Sequence, residues 1–167
     1  MRVLLKKIFR RFFQHESRVK AGFANLASFD EKVESYRRRG AKIGNNVRLL
    51  GFVDGVNPHL ISIGDYSVVG FHSALLAHCP IRGALPCRVG KYVYIGFGAI
   101  ILPGITVGDN CLIGAGVVVT KDVPAGSIAA GNPAKVLREL TQDKRERIEH
   151  TMLEGRLFGW DEFGGRT

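Results

Sequence analysis

From Val89 onward a β-branched aliphatic residue stands at every sixth position: Val89, Ile95, Ile101, Val107, Ile113 and Val119. An amphipathic helix needs apolar residues three and four apart, and a half-buried strand needs them two apart. A period of six excludes both and describes a chain that turns a corner every six residues. Residues 89–106 align on 107–124 without a gap, Val89 on Val107, Gly90 on Gly108, Val93 on Cys111, Ile95 on Ile113 and Gly96 on Gly114. The unit is therefore an internal repeat of three six-residue faces. In each face the first aliphatic points inward, the fifth residue fills the space beside it, and the second, glycine, permits close approach at the corner. Successive coils stack at strand spacing, about 4.8 Å, and each buries its neighbour's inner face.

The same template occurs earlier, in "IGNNVR" at Ile43 and "IGDYSV" at Ile63, and Ile63, Val69 and Leu75 sustain it. Val89 resumes it in another register, which predicts a looped-out stretch over 81–88. About five coils are implied, the last one partial over 125–136. Three segments follow: a basic helical segment over 1–40, the coils over 41–137, and a C-terminal helix and tail over 138–167. A helix is predicted over Phe29 to Arg39, with Ser28 and Glu31 at capping-box spacing and Gly40 as its stop. Val3, Leu4, Leu5, Ile8, Phe9, Phe12 and Phe13 alternate with Lys6, Lys7, Arg10 and Arg11 at helical spacing. Residues 1–13 therefore suit either a membrane surface or a docking place on this chain or another subunit. The stretch from Thr141 reads as a solvated helix, and Phe158, Trp160 and Phe163 as a cover for the open end.

At 167 residues the chain suggests one domain, and 46% hydrophobic residues exclude a mainly disordered one. Three cysteines form no disulfide framework, which fits a reducing compartment. No apolar run reaches membrane-spanning length, and the lysines and arginines of "MRVLLKKIFRRFF" interrupt any signal-peptide stretch, so a cytoplasmic protein is expected. The net charge of +9 favours phosphate-bearing ligands or an anionic membrane. No nucleic-acid motif accompanies it, so nucleic acid is not an expected partner.

The repeat, together with the run "IGAGVVVTKDVPAGSIAAGNPAKVLRE", resembles the hexapeptide-repeat acyltransferases, of the sugar or polysaccharide O-acetyltransferase type. The resemblance covers about residues 41–140. It implies an all-β, left-handed parallel β-helix, whose crossovers break the usual right-handed preference. It also implies acetyl-CoA as co-substrate and a hydroxyl acceptor on a sugar, in a surface-polysaccharide or lipid-linked saccharide precursor. A xenobiotic or serine acceptor, or a non-catalytic scaffold subunit, are the alternatives. The family is usually trimeric, so a homotrimer with sites between subunits is expected, with Ile100 and Val118 facing outward.

Acyl transfer to a hydroxyl needs a base for the hydroxyl proton, and histidine suits that role at neutral pH. Of the five histidines, His15 and His150 lie in charged ends and read as solvated, and His59 reads as structural. By resemblance His78, in "ALLAHCP", is the base, and His72 lines the acceptor side. Cys79 takes an inward position and reads as core, and Cys87 as loop-borne. Also by resemblance, backbone at Gly96, Phe97 and Ala115 meets the pantetheine arm and Tyr94 walls the acyl site. Thr120 and Lys121 then lie by the adenine and 3′-phosphate, with Lys135 and Arg138 near. The acceptor-binding Asn of better-understood relatives has no clean match, and Arg48, Asp54 and Asn57 are the substitutes. The spacing of His59, His72 and His78 gives no zinc pattern, so no metal is expected.

Overall fold

The computed structural model describes residues 26–153. The basic helix expected over 1–13, His15, and the aromatic cover of Phe158, Trp160 and Phe163 lie outside these residues.

Three stacks of very short parallel strands form the three sides of a prism. The first side holds β1 (Lys42–Ile43), β4 (Ile61–Ile63), β9 (Cys87–Val89) and β12 (Thr106–Val107), extended by a bridge from Val107 to Val123. The second holds β2 (Arg48–Leu49), β5 (Val68–Val69), β10 (Tyr94–Ile95), β13 (Leu112–Ile113) and β15 (Ser127–Ala130), closed by the antiparallel β16 (Lys135–Glu139). The third holds β3 (Phe52–Val53), β6 (Ala74–Leu75), β11 (Ile100–Ile101) and β14 (Val118–Val119). A hairpin of β7 (His78–Cys79) and β8 (Gly83–Ala84) stands apart from the sides.

The period-six aliphatics are the inner wall. Leu49, Val69, Leu75, Ile95, Ile101, Val107 and Val119 are fully buried, and Val93, Ala99 and Cys111 fill the fifth positions beside them. Register keeps like over like, as Ile95 pairs with Ile113 and Leu75 with Ile101. Corner glycines are required by the stacking. A Cβ on Gly96 would lie 2.7 Å from the Ala115 nitrogen of the next coil, a distance that forces the two coils apart.

Helix α1 (Leu26–Arg38) lies over the first coil with Val33 buried against it. Its side chains cap carbonyls that no earlier coil covers among the described residues. Lys32 Nζ donates to Gly51 O at 2.6 Å, Tyr36 Oη to Val53 O at 2.9 Å, and Arg37 Nε to Ile43 O at 3.0 Å. Helix α2 (Gln142–Leu153) packs on the second side, where Ile148 and Met152 meet Tyr94 and Leu112.

Several expectations are corrected. Ser28 lies inside α1 and not at its start, because the helix already includes Leu26. The looped-out stretch is the hairpin at 78–84, and Cys87 is not loop-borne. It is fully buried in β9 opposite Ile61, where burial pushes its thiol up to about 12. Cys79 is not core. The chain has left the coil by His78, so Ala77 takes the inward place, and Cys79 is half-exposed, with its thiol lowered by the backbone N–H groups of Arg82 and Ile81. The C-terminal helix starts at Gln142, because β16 prolongs the second side through Glu139, past the boundary expected at 138.

Candidate active site

Two irregularities on one edge assemble the site. The first coil is short on its second side, with a step of only four residues from Leu49 to Val53, and the chain leaves the coil at Asp54. It then passes through a loop and the 3₁₀ turn Pro58–Leu60 before rejoining at β4. The second coil departs two residues later in its own frame, at Ala77 and His78. Val53 pairs with Leu75, and the Asp54 N–H donates to Leu75 O at 2.9 Å, so the two departures lie against each other.

Asp54 is fully buried. Its Oδ1 accepts the N–H groups of Val56 at 2.8 Å and Asn57 at 3.1 Å. Its Oδ2 accepts the Ala77 N–H at 2.9 Å and meets His78 Nδ1 at 2.5 Å. Burial by itself would raise this carboxyl. The hydrogen bonds from Ala77, His78, Asn57 and Val56 outweigh it and hold the group down at about 2. Asp54 is therefore an anion at neutral pH and can only accept, so the proton between the two groups belongs to His78 Nδ1. In the neutral imidazole that assignment leaves the lone pair on Nε2. The His78 side chain is half-exposed. The result is an oriented imidazole with its acceptor nitrogen facing outward and its carboxylate partner sealed behind it.

This carboxylate makes an acid-lability prediction. The folded value of about 2 lies below the ordinary unfolded value of about 3.9, so the stabilisation is present above pH 4 and is lost as pH falls from about 4 to about 2. The expected loss is about 2 kcal/mol, at 1.36 kcal/mol for each pH unit of displacement. Urea melts at pH 5, 4, 3 and 2 of the protein and of Asp54→Asn measure it. Parallel losses in the two proteins over that window would contradict the assignment.

The residues singled out from sequence separate onto different parts of the prism. On the edge that carries Asp54 and His78, Thr120 follows Val119 as Leu76 follows Leu75, two coils further along, or about 10 Å at strand spacing. There Thr120, Lys121 and Lys135 line one groove of about 350 Å³ with Pro133 and Val136. Arg138 sits three residues further along the exposed β16 and does not line it. Gly96, Phe97, Ala115 and His72 occupy the other edge of the third side, where His72 rests against the Phe97 ring at 5.0 Å between centroids. The Gly96 N–H already donates to Ile113 O at 2.8 Å, and the Phe97 carbonyl accepts from Gly116 at 2.8 Å, so these groups are occupied by coil stacking. Tyr94 lies on the second side, under α2, and not beside the base. Asp54 is buried behind His78, and the Asn57 N–H is engaged by that carboxylate. His59 and His150 are exposed, on the 3₁₀ turn and on α2. Among the described residues no three His, Cys, Asp or Glu side chains cluster as metal ligands, and no helix is long and apolar enough to cross a membrane.

The contact between Asp54 and His78 is not apparent from the sequence. Placing Val53 beneath Leu75 as equivalent third-side residues would have revealed it, but the four-residue step from Leu49 hides that equivalence.

Residues 86–121 match the family described as bacterial transferase hexapeptide (six repeats). Over 72 residues the chain is 49% identical to galactoside O-acetyltransferase of Escherichia coli, covering 42% of this chain and 36% of that one. The chain spans about a third of the length of the curated relatives it matches. Among solved structures, a maltose O-acetyltransferase from Clostridium difficile superimposes with a TM-score of 0.53 at 28% identity, over 68% of this chain and 77% of that one. A galactoside acetyltransferase in complex with coenzyme A does so with a TM-score of 0.50 at 28% identity, over 62% of each chain. These likenesses imply that the prism is a left-handed β-helix. With its period-six wall and its stacked coils, the chain is similar to the hexapeptide-repeat transferases, whose repeat it carries over residues 86–121.

Proposed function

We propose that the protein is an acetyl-CoA-dependent O-acetyltransferase whose acceptor is a saccharide hydroxyl and whose base is His78. The observation that carries this reading is the Asp54–His78 pair, a sealed carboxylate fixing the tautomer of a half-exposed imidazole. As the acceptor oxygen bonds to the thioester carbonyl carbon, its proton passes to His78 Nε2. The developing positive ring is stabilised by the Asp54 carboxylate at Nδ1. When the tetrahedral intermediate collapses, the C–S bond breaks and the imidazolium returns the proton to the departing sulfur. The reaction needs neither a metal nor an acyl-enzyme.

The groove with Lys121 and Lys135 offers two cations on the His78 edge, which suits phosphates of the coenzyme. Residues Gly96, Phe97, Ala115 and His72 on the opposite edge of the third side would face the same ligand only from a neighbouring chain. Between the two edges lie the partly buried Ala74, Ile100 and Val118 and the exposed Phe52, an apolar strip suited to contact between copies. A homotrimer with sites between subunits is the assembly this division favours. A cytoplasmic location, with residues 1–13 touching the inner membrane surface, completes the reading. A polysaccharide or lipid-linked saccharide precursor is its acceptor.

The test is release of free thiol from acetyl-CoA by the full chain, with free sugars, nucleotide sugars, lipid-linked saccharides, serine and hydroxyl-bearing xenobiotics as acceptors. Saccharide-dependent release is the expected result. Release that depends on serine or a xenobiotic instead would replace the acceptor, and release with no acceptor dependence would remove the reading.

A further inference from the structure

We propose that Tyr36, in the last turn of helix α1, and Arg39, just after it, are positioning residues for the base, acting through the two carbonyls that flank Asp54. This inference rests on the reading of His78 as the base. Tyr36 Oη donates to Val53 O at 2.9 Å, on one side of Asp54. Arg39 Nη2 donates to Gly55 O, on the other side. The two donors are themselves coupled, because the Arg39 guanidinium carbon lies 5.7 Å from the centroid of the Tyr36 ring. The second coil holds this backbone on one side, through the Asp54 N–H and Leu75 O, and this pair of side chains meets the carbonyls on both sides of the buried carboxylate.

The chain needs such a hold here. Asp54 belongs to the first coil, which among the described residues has no coil before it, and residues 55–57 belong to no strand. The N–H groups of Val56 and Asn57 are bonded to the Asp54 carboxylate itself, so they move with it and do not anchor it. An aspartate side chain is short, so its carboxylate follows the Cα closely. Any displacement of Val53 to Gly55 passes to Oδ2 and from there to the His78 ring, 2.5 Å away. Small misplacements of that kind reduce turnover while leaving binding of the co-substrate intact.

Lys32 supplies the control. It also joins α1 to the first coil, through Gly51 O at 2.6 Å, but at the corner before β3, away from Asp54. The experiment compares Tyr36→Phe, Arg39→Gln and Lys32→Met in the full chain. It reads thermal midpoint, kcat and KM for acetyl-CoA, and the His78 ring nitrogen and Nδ1–H resonances, assigned by their loss in His78→Gln. The expected result is a fall in kcat of about tenfold in Tyr36→Phe and Arg39→Gln with KM unchanged, together with shifted His78 resonances. Lys32→Met should lower the thermal midpoint and leave both readouts in place. Two results would overturn the inference: unmoved resonances in both clamp variants, or equal movement in Lys32→Met. The resonances decide it even if no acceptor supports turnover, in which case the acetyltransferase reading fails separately.

Discussion

His78→Ala is expected to lower saccharide-dependent thiol release by about 10²- to 10⁴-fold, the usual contribution of a positioned general base. KM for acetyl-CoA should change little, because the imidazole acts on the acceptor proton and is needed only as the transition state forms. The fold should survive. Removing the ring takes away one of four hydrogen bonds on Asp54, and the N–H groups of Val56, Asn57 and Ala77 still satisfy the buried carboxylate. A melting midpoint near that of the parent, with activity lost, is therefore the signature. Asp54→Asn should show the complementary failure. An amide can turn its NH2 toward Nδ1, which moves the ring proton to Nε2 and leaves the base with nothing to accept at its exposed end. Undiminished turnover in His78→Ala would end the proposed mechanism.

Ile113→Asp is expected to yield no folded protein. Ile113 is 1% exposed and is stacked between Ile95 and Ala129 by register. Losing its burial costs about 1.5–3 kcal/mol, and enclosing an unpaired carboxylate costs several more. A domain of this size has about 5–15 kcal/mol in total. The damage also cannot be confined, because each coil is buried only by its neighbours. Ile113→Val, which removes one methylene, should cost about 0.5–1.5 kcal/mol and keep the cooperative melt. Circular dichroism of the two purified variants decides the matter. A native-like melt for Ile113→Asp would mean the period-six positions do not form the wall.

The contrast between these two sites shows how much was legible beforehand. Ile113 could be placed without coordinates because the repeat is locally encoded. Residues six apart face the same interior, and residues eighteen apart stack, so spacing alone assigns burial. His78 was singled out by resemblance, from its place before the break in register. Cys79 and Cys87 were misplaced by the same rule, since counting in sixes fails once the chain leaves the coil at Ala77 and rejoins at Cys87.

Asp54 belongs to the part that only the tertiary structure decided. It lies 24 residues before His78, in a coil whose shortened second side shifts its frame. Sequence offered it as one polar residue among several near an acceptor. Stacking Val53 on Leu75 turns it into the buried anion behind His78. The division of Thr120 and Lys121 from Gly96, Phe97 and Ala115 onto two edges, by contrast, follows from the eighteen-residue coil, because no interruption lies between them. A period of six says which residues point inward, since that depends on counting along the chain. Which outward groups meet depends on where successive coils are interrupted, and that is set by contacts between coils.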